Sequence, residues 1–251
     1  MFDLSNKDYA VLLLEDVDLE AQLIAVRSLL RRNARADEEL GQEIEDLAKR
    51  AGDASGEYGM HLENSWVDRL HGSVFQDAAH SMSAVGMLVP MLESILTATF
   101  VGIRDLEAPA RPVTPTGPRA AHIGHKNFWD PHYLFGPRGG SKDIARGAVQ
   151  LADSVGLLPL LPADFAMAAD ALFTYRNRMF HHGFEWPKAE RTKFKALIVE
   201  KGWPSDWFVS SESNHEPWIF YMSDTLISHA LEWFDAILEG IGTFIQGRYP
   251  Q

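Results

Sequence analysis

Between Ala78 and Ile103 the chain carries a single charge, Glu93, in a run rich in Val, Leu, Met, Ile and Phe. A segment this long and this apolar must leave water, either in a bilayer or in a core of the chain's own making. A membrane-spanning helix needs about 20 mostly apolar residues, and a carboxylate at its centre is costly. The run is also interrupted by His80, Ser81, Ser83, Pro90, Thr97 and Thr99, and Asp77 and Arg104 flank it without a basic cluster. These features predict a buried bundle helix and no membrane association. A chain of 251 residues with 46% apolar content has enough surface elsewhere to cover such a helix.

The punctuation of the remaining sequence is that of an all-α protein. Ser5 with Asp8 forms a capping signal before a helix over 9–32. A strongly charged helix follows over 37–50, then a loop at 53–59, then a long helix over 62–103 broken near Gly72 and kinked at Pro90. Ser141, Pro162, Pro187 and Pro217 each open a further helix, with stops at Gly156, after His182 at Gly183, before Gly202 and near Gln246. That makes seven helices and no convincing alternating strand. Residues 105–142 hold six prolines and the Gly139–Gly140 pair, and read as a long proline-rich insertion loop. The expected organisation is an N-terminal helical extension over 1–60 and a helical bundle over 61–251. The start, MFDLSNKDYA, lacks a secretory pattern, so the expected location is cytoplasmic. The absence of cysteine excludes disulfides, thiolate metal sites and cysteine nucleophiles.

A formal net charge of −12 excludes a protein that coats nucleic acid through general basicity. Two stretches run against it. Residues 106–142 carry five basic and two acidic side chains, and 176–201 carry seven and three. A polyanion would bind where such islands meet, although Lys188, Arg191, Lys193 and Lys195 read more simply as a solvated helix face.

The helix over 162–182, PADFAMAADALFTYRNRMFHH, carries the functional argument. At about 100° per residue, Phe165, Ala168, Leu172, Tyr175 and Met179 fall on one core stripe. Asp170, Thr174, Asn177 and His181 fall on the opposite side, with Asn177 and His181 one turn apart. Arg176 lies between the stripes and needs a counter-charge, for which Glu93 is the candidate. Gly183 puts His181 in the last turn, where the helix dipole favours an imidazolium. Arginine offers a planar donor pair to phosphate, histidine can move a proton near neutral pH, and asparagine can orient either.

RNRMFH, residues 176–181, resembles the Arg-Asn-x-x-x-His form of the R-x(4–6)-H motif of HEPN domains, and the apolar helix with its embedded acid, VGMLVPMLESILTATF, is similar to that family's partner helix. The resemblance covers roughly residues 60–250. It implies a HEPN-type bundle and a metal-independent endoribonuclease of a toxin–antitoxin or phage-defence system, with no cofactor. It further implies a homodimer that brings two motif copies together. His181 would handle protons, Arg176 would hold the scissile phosphate and Asn177 would support the geometry while the ribose 2′-OH attacks. Glu93 and His182 are the expected supporting residues, and Arg178, Lys126 and Arg138 the expected substrate contacts. The partners implied are an RNA substrate and an antitoxin or regulatory protein. The alternative is a non-catalytic module of the same fold that binds a nucleotide, RNA or a protein.

Other constellations are weaker. His122, His125, Asp130 and His132, joined by His181, His182 or His215, have the donor types of an imidazole–carboxylate metal site but complete no known zinc pattern. Phe128, Trp129, Tyr133 and Phe135 lie among Lys126, Arg138 and Lys142. They can stack on single-stranded bases or, more commonly, pin the segment to the bundle. GPRGGSK lacks phosphate-loop spacing, and the tryptophans at 186, 203, 207, 218 and 233 read as packing residues.

Overall fold

The structure, a computed structural model, describes residues 4–14, 18–106, 113–137 and 139–248. It is predominantly α-helical, as the sequence predicts. In chain order it comprises α1 (Asn6–Leu13), α2 (Leu19–Asp53), α3 (Gly56–Asp105), α4 (Gly117–Ala120), β1 (Tyr133–Gly136), β2 (Gly139–Lys142), α5 (Ile144–Val155), α6 (Phe165–His182), α7 (Lys188–Lys201), β3 (Phe208–Ser213), β4 (Glu216–Met222) and α8 (Asp224–Arg248).

Several boundaries differ from the sequence reading. The expected helices at 9–32 and 37–50 become α1 and one continuous α2, and α3 runs unbroken through Gly72 and Pro90. Asp143, not Ser141, caps α5 by accepting from the Arg146 amide. Two antiparallel hairpins, β1–β2 and β3–β4, were not expected. Pro217 sits in β4 opposite Glu212 rather than opening the last helix. That helix starts after Ser223, whose Oγ accepts from the Leu226 amide at 3.1 Å. The glycine stops hold: Gly156, Gly183 and Gly202 take φ of 78°, 70° and 65°, the left-handed region in which a helix commonly ends.

The chain divides into two compact units that interleave in sequence. One comprises Met1–Gln22, Leu88–Thr174 and His229–Gln251. Its core takes Leu88, Val89, Leu92, Ile95, Leu96 and Phe100 from α3, all at most 1% exposed. α3 is long and apolar enough to cross a membrane, and 56% of its most apolar stretch is buried inside the protein. Glycines on α8 admit close backbone approach in this unit. A Cβ at Gly240 would collide with the Leu160 carbonyl oxygen, and one at Gly242 with that of Asn6.

The 113–142 segment, read from sequence as a loop, is organised around a buried arginine. Arg119 is 0% exposed and donates to the carbonyls of Asn127, Phe128, Asp130, Tyr133 and Gly147 at 2.6–3.4 Å. Its guanidinium also lies over the rings of Phe128 and Phe135. Burial brings its pKa down to about 10, with the charge of Asp130 opposing. Phe128 and Phe135 are buried, so these aromatics pin the segment rather than offer a stacking surface.

The second unit comprises Leu23–Met87 and Tyr175–Ser228. Here α2 pairs with the first part of α3: Asp37 bonds Gln76 and His80, and Arg69 faces Glu43. The core of this unit is aromatic, with Tyr175, Trp186, Phe194, Phe208 and Phe220 in stacked and edge contacts at 5.0–6.0 Å. The Tyr175 hydroxyl donates to the Phe220 carbonyl, and the Met222 amide donates to Ser81 Oγ. These bonds fix the last turns of α6 against β4 and α3.

Candidate functional site

The core stripe of α6 is realised as read, whereas the polar stripe is exposed only at its C-terminal end, with Asp170 and Thr174 half-buried. Phe165, Ala168, Leu172, Tyr175 and Met179 are at most 1% exposed, while Asn177, His181 and His182 are exposed. Tyr175 and Met179 anchor the core side, and Asn177, Phe180, His181 and His182 are displayed on the outside of the helix's last two turns.

Arg176 is half-buried. Its Nη1 donates to Asn177 Oδ1 at 3.0 Å, and its guanidinium carbon stands 5.6 Å from the centre of the Phe180 ring. Its Nε is buried and meets no acceptor among the described residues. The His181 and His182 rings are 6.5 Å apart. Thus the Arg176–Asn177 pair and the two histidines occupy the last two turns of α6, and among the described residues Arg176 forms no ion pair with a carboxylate. Such an arrangement can accept a phosphodiester between the arginine and a ring nitrogen.

The other expected residues are placed differently. The acceptor for Arg176 within its own unit is Asn177. In the other unit Glu93 accepts from His132 Nε2 at 2.7 Å, and His132 Nδ1 bonds Asp130 at 2.9 Å. Partial burial works against a charge on His132, but the two carboxylates outweigh it and hold its pKa above the ordinary value. Arg178 is bound rather than displayed. It donates to Glu190 Oε2 at 2.7 Å and lies over Trp186 and Phe194, which makes it a clamp between α6 and α7. Lys126 is exposed in the first unit. Arg138 lies outside the described residues.

No group of three His, Asp or Glu among the described residues is arranged to hold a metal. His122 stacks on Phe135 at 4.4 Å and His125 on Tyr133 at 5.8 Å, so both serve the Arg119-centred packing.

The sequence reading missed a second cluster. A cavity of about 280 Å³ in the second unit is lined by Asp37, Asp77, His80, Ser81, Tyr221 and Asp224 among others. His80 Nδ1 meets Asp37 Oδ2 at 2.6 Å. Burial and the charge of Asp37 push the Asp77 carboxyl up to about 6, and burial with the Asp77 charge raises Tyr221. The one sequence signal was the i,i+3 spacing of Asp77 and His80 in an otherwise apolar helix. The cavity's acidic lining is the wrong sign for a polyanion.

No protein-family model matches the chain, and no curated protein or solved structure matches it either.

Proposed function

We propose that the chain is a metal-independent endoribonuclease of HEPN type that acts as a homodimer in the cytoplasm, in a toxin–antitoxin or phage-defence setting. The observation that carries this reading is the grouping at the end of α6. There an exposed His181 shares a helix face with Asn177, and Asn177 holds a guanidinium whose remaining donors meet no carboxylate among the described residues.

In this scheme two copies of α6 face one phosphodiester. One His181 takes the proton of the ribose 2′-OH as its oxygen attacks phosphorus. The His181 of the second copy gives a proton to the departing 5′ oxygen as the P–O5′ bond breaks. The products are a 2′,3′-cyclic phosphate and a 5′-hydroxyl, and no redox or metal step is required. Arg176 neutralises the charge that develops on the phosphoryl oxygens, and Asn177 keeps its guanidinium oriented.

The test is incubation of the purified chain with mixed RNA in excess EDTA beside His181→Ala. Cleavage that leaves 2′,3′-cyclic ends and falls at least about a hundredfold in the variant is expected. Equal cleavage by both proteins would place the activity elsewhere. RNA or nucleotide binding with no cleavage by either would favour the non-catalytic module, a reading that the net charge of −12 also suits.

A further inference from the structure

Phe180 is an apolar residue at the end of α6 whose placement neither the core nor the reaction explains. Tyr175 and Met179 already fill the apolar stripe, yet Phe180 keeps 57% of its surface open. It lies one turn beyond Arg176, whose guanidinium carbon is 5.6 Å from the ring centre, and it directly precedes His181. The ring is seated against α3 at a glycine: a Cβ at Gly86 would stand 3.3 Å from Phe180 Cζ and 3.8 Å from Cε2. Packing of this kind restrains an aromatic without covering it.

We propose that Phe180 is the base-stacking platform of the RNA site, which makes the substrate single-stranded RNA. The inference rests on the ribonuclease reading for the phosphate and on Phe180's own surroundings for the base. An aromatic face accepts any base that is free to present its own π-face, and neighbouring cations hold the backbone beside it. Bases inside a duplex are paired and stacked on one another and offer no such face. With Arg176 beside the ring and His181 next in sequence, a stacked base places its own backbone phosphate near the proposed reacting groups.

The test uses the full chain with short 2′-O-methyl single strands, which lack the attacking hydroxyl, and scans one abasic position along the strand. Fluorescence anisotropy should show one position whose loss weakens binding about tenfold. Phe180→Ala should reduce that sensitivity to less than twofold, and Phe180→Trp should restore it. The same strand in a duplex should bind more weakly than the single strand. The proposal is overturned if no abasic position matters, if Phe180→Ala keeps the same sensitivity, or if the duplex binds as well. It is also overturned if sedimentation shows Phe180→Ala to be monomeric where the parent is dimeric, because the ring would then be an interface with a second copy. Cleavage of ordinary RNA in EDTA, run in parallel, separates the two readings. Base-dependent binding without cleavage keeps the platform and removes the nuclease, and cleavage without base-dependent binding does the reverse.

Discussion

Arg119 and Arg176 carry the same side chain and are used in opposite ways. Arg119 is fully buried and spends its donors on five backbone carbonyls drawn from residues 127–147. Arg176 is half-buried and gives one bond to the neighbouring Asn177. A guanidinium has five N–H donors in a fixed fork. When carbonyls of the fold consume them, the residue is a structural nail and has nothing left for a ligand. When they are held by a single exposed amide, the residue is oriented and still able to bind. Counting basic residues along the chain cannot tell these two apart, although both lie in locally basic stretches.

Replacement tests the contrast most sharply. Arg119→Met should strand several buried carbonyls and lower unfolding free energy by about 3–5 kcal/mol, read from denaturant midpoints. Arg119→Lys should rescue little, because an ammonium cannot span five acceptors. Arg176→Ala should shift the same midpoint by less than about 1 kcal/mol, while RNA cleavage in EDTA falls about a hundredfold. A large stability loss at Arg176 would erase the distinction between the two arginines.

Titration sharpens the comparison between the units. Asp77 is raised from 3.8 to about 6, so its ionisation costs the folded state. Stability present below pH 3.8 is lost as the pH rises through about 6. Asp77→Asn should therefore melt higher than the parent near pH 7 and show no such gain near pH 4. His132 has the opposite consequence. Its pKa is raised from 6.5, so the clamp to Glu93 and Asp130 is fully present below 6.5 and weakens as the pH climbs through the raised value. The advantage of the parent over His132→Gln should be largest near pH 6 and shrink toward pH 9. With the His132 side chain 37% exposed, this is the smallest of the effects.

The fold was legible wherever one residue type has few conformational options. The glycines at 156, 183 and 202 mark helix ends because the left-handed residue there favours glycine strongly. The α6 stripes were legible because the 3.6-residue period needs no tertiary information. The β3–β4 hairpin was not, since its turn places Asn214 and His215 at φ of 52° and 62° without the glycine that usually announces such a turn. Within the candidate site, spacing alone gave the shared helix face of Asn177 and His181, while the roles of Arg176, Asn177 and His181 come from the motif resemblance. The loss of Arg178 to Glu190, the pairing of Glu93 with His132 and the nailing role of Arg119 all depend on partners from other elements. Phe180 went unnoticed because an apolar residue in a bundle helix gives no local sign of whether it faces inward.

The seating of α1 on α8 also sets a clock. Asn6 bonds Thr243 at 3.1 Å, Lys7 pairs with Asp235 at 3.2 Å, and the α1 backbone passes where Gly242 has no side chain. The ribosome makes α1 more than two hundred residues before it makes α8, a wait of roughly ten to fifty seconds at ordinary elongation rates. During that interval the apolar half of α3 has no completed unit to enter. Until α8 emerges, the unit that α1 and α8 share cannot close its core, so the first helix made is among the last to find its seat.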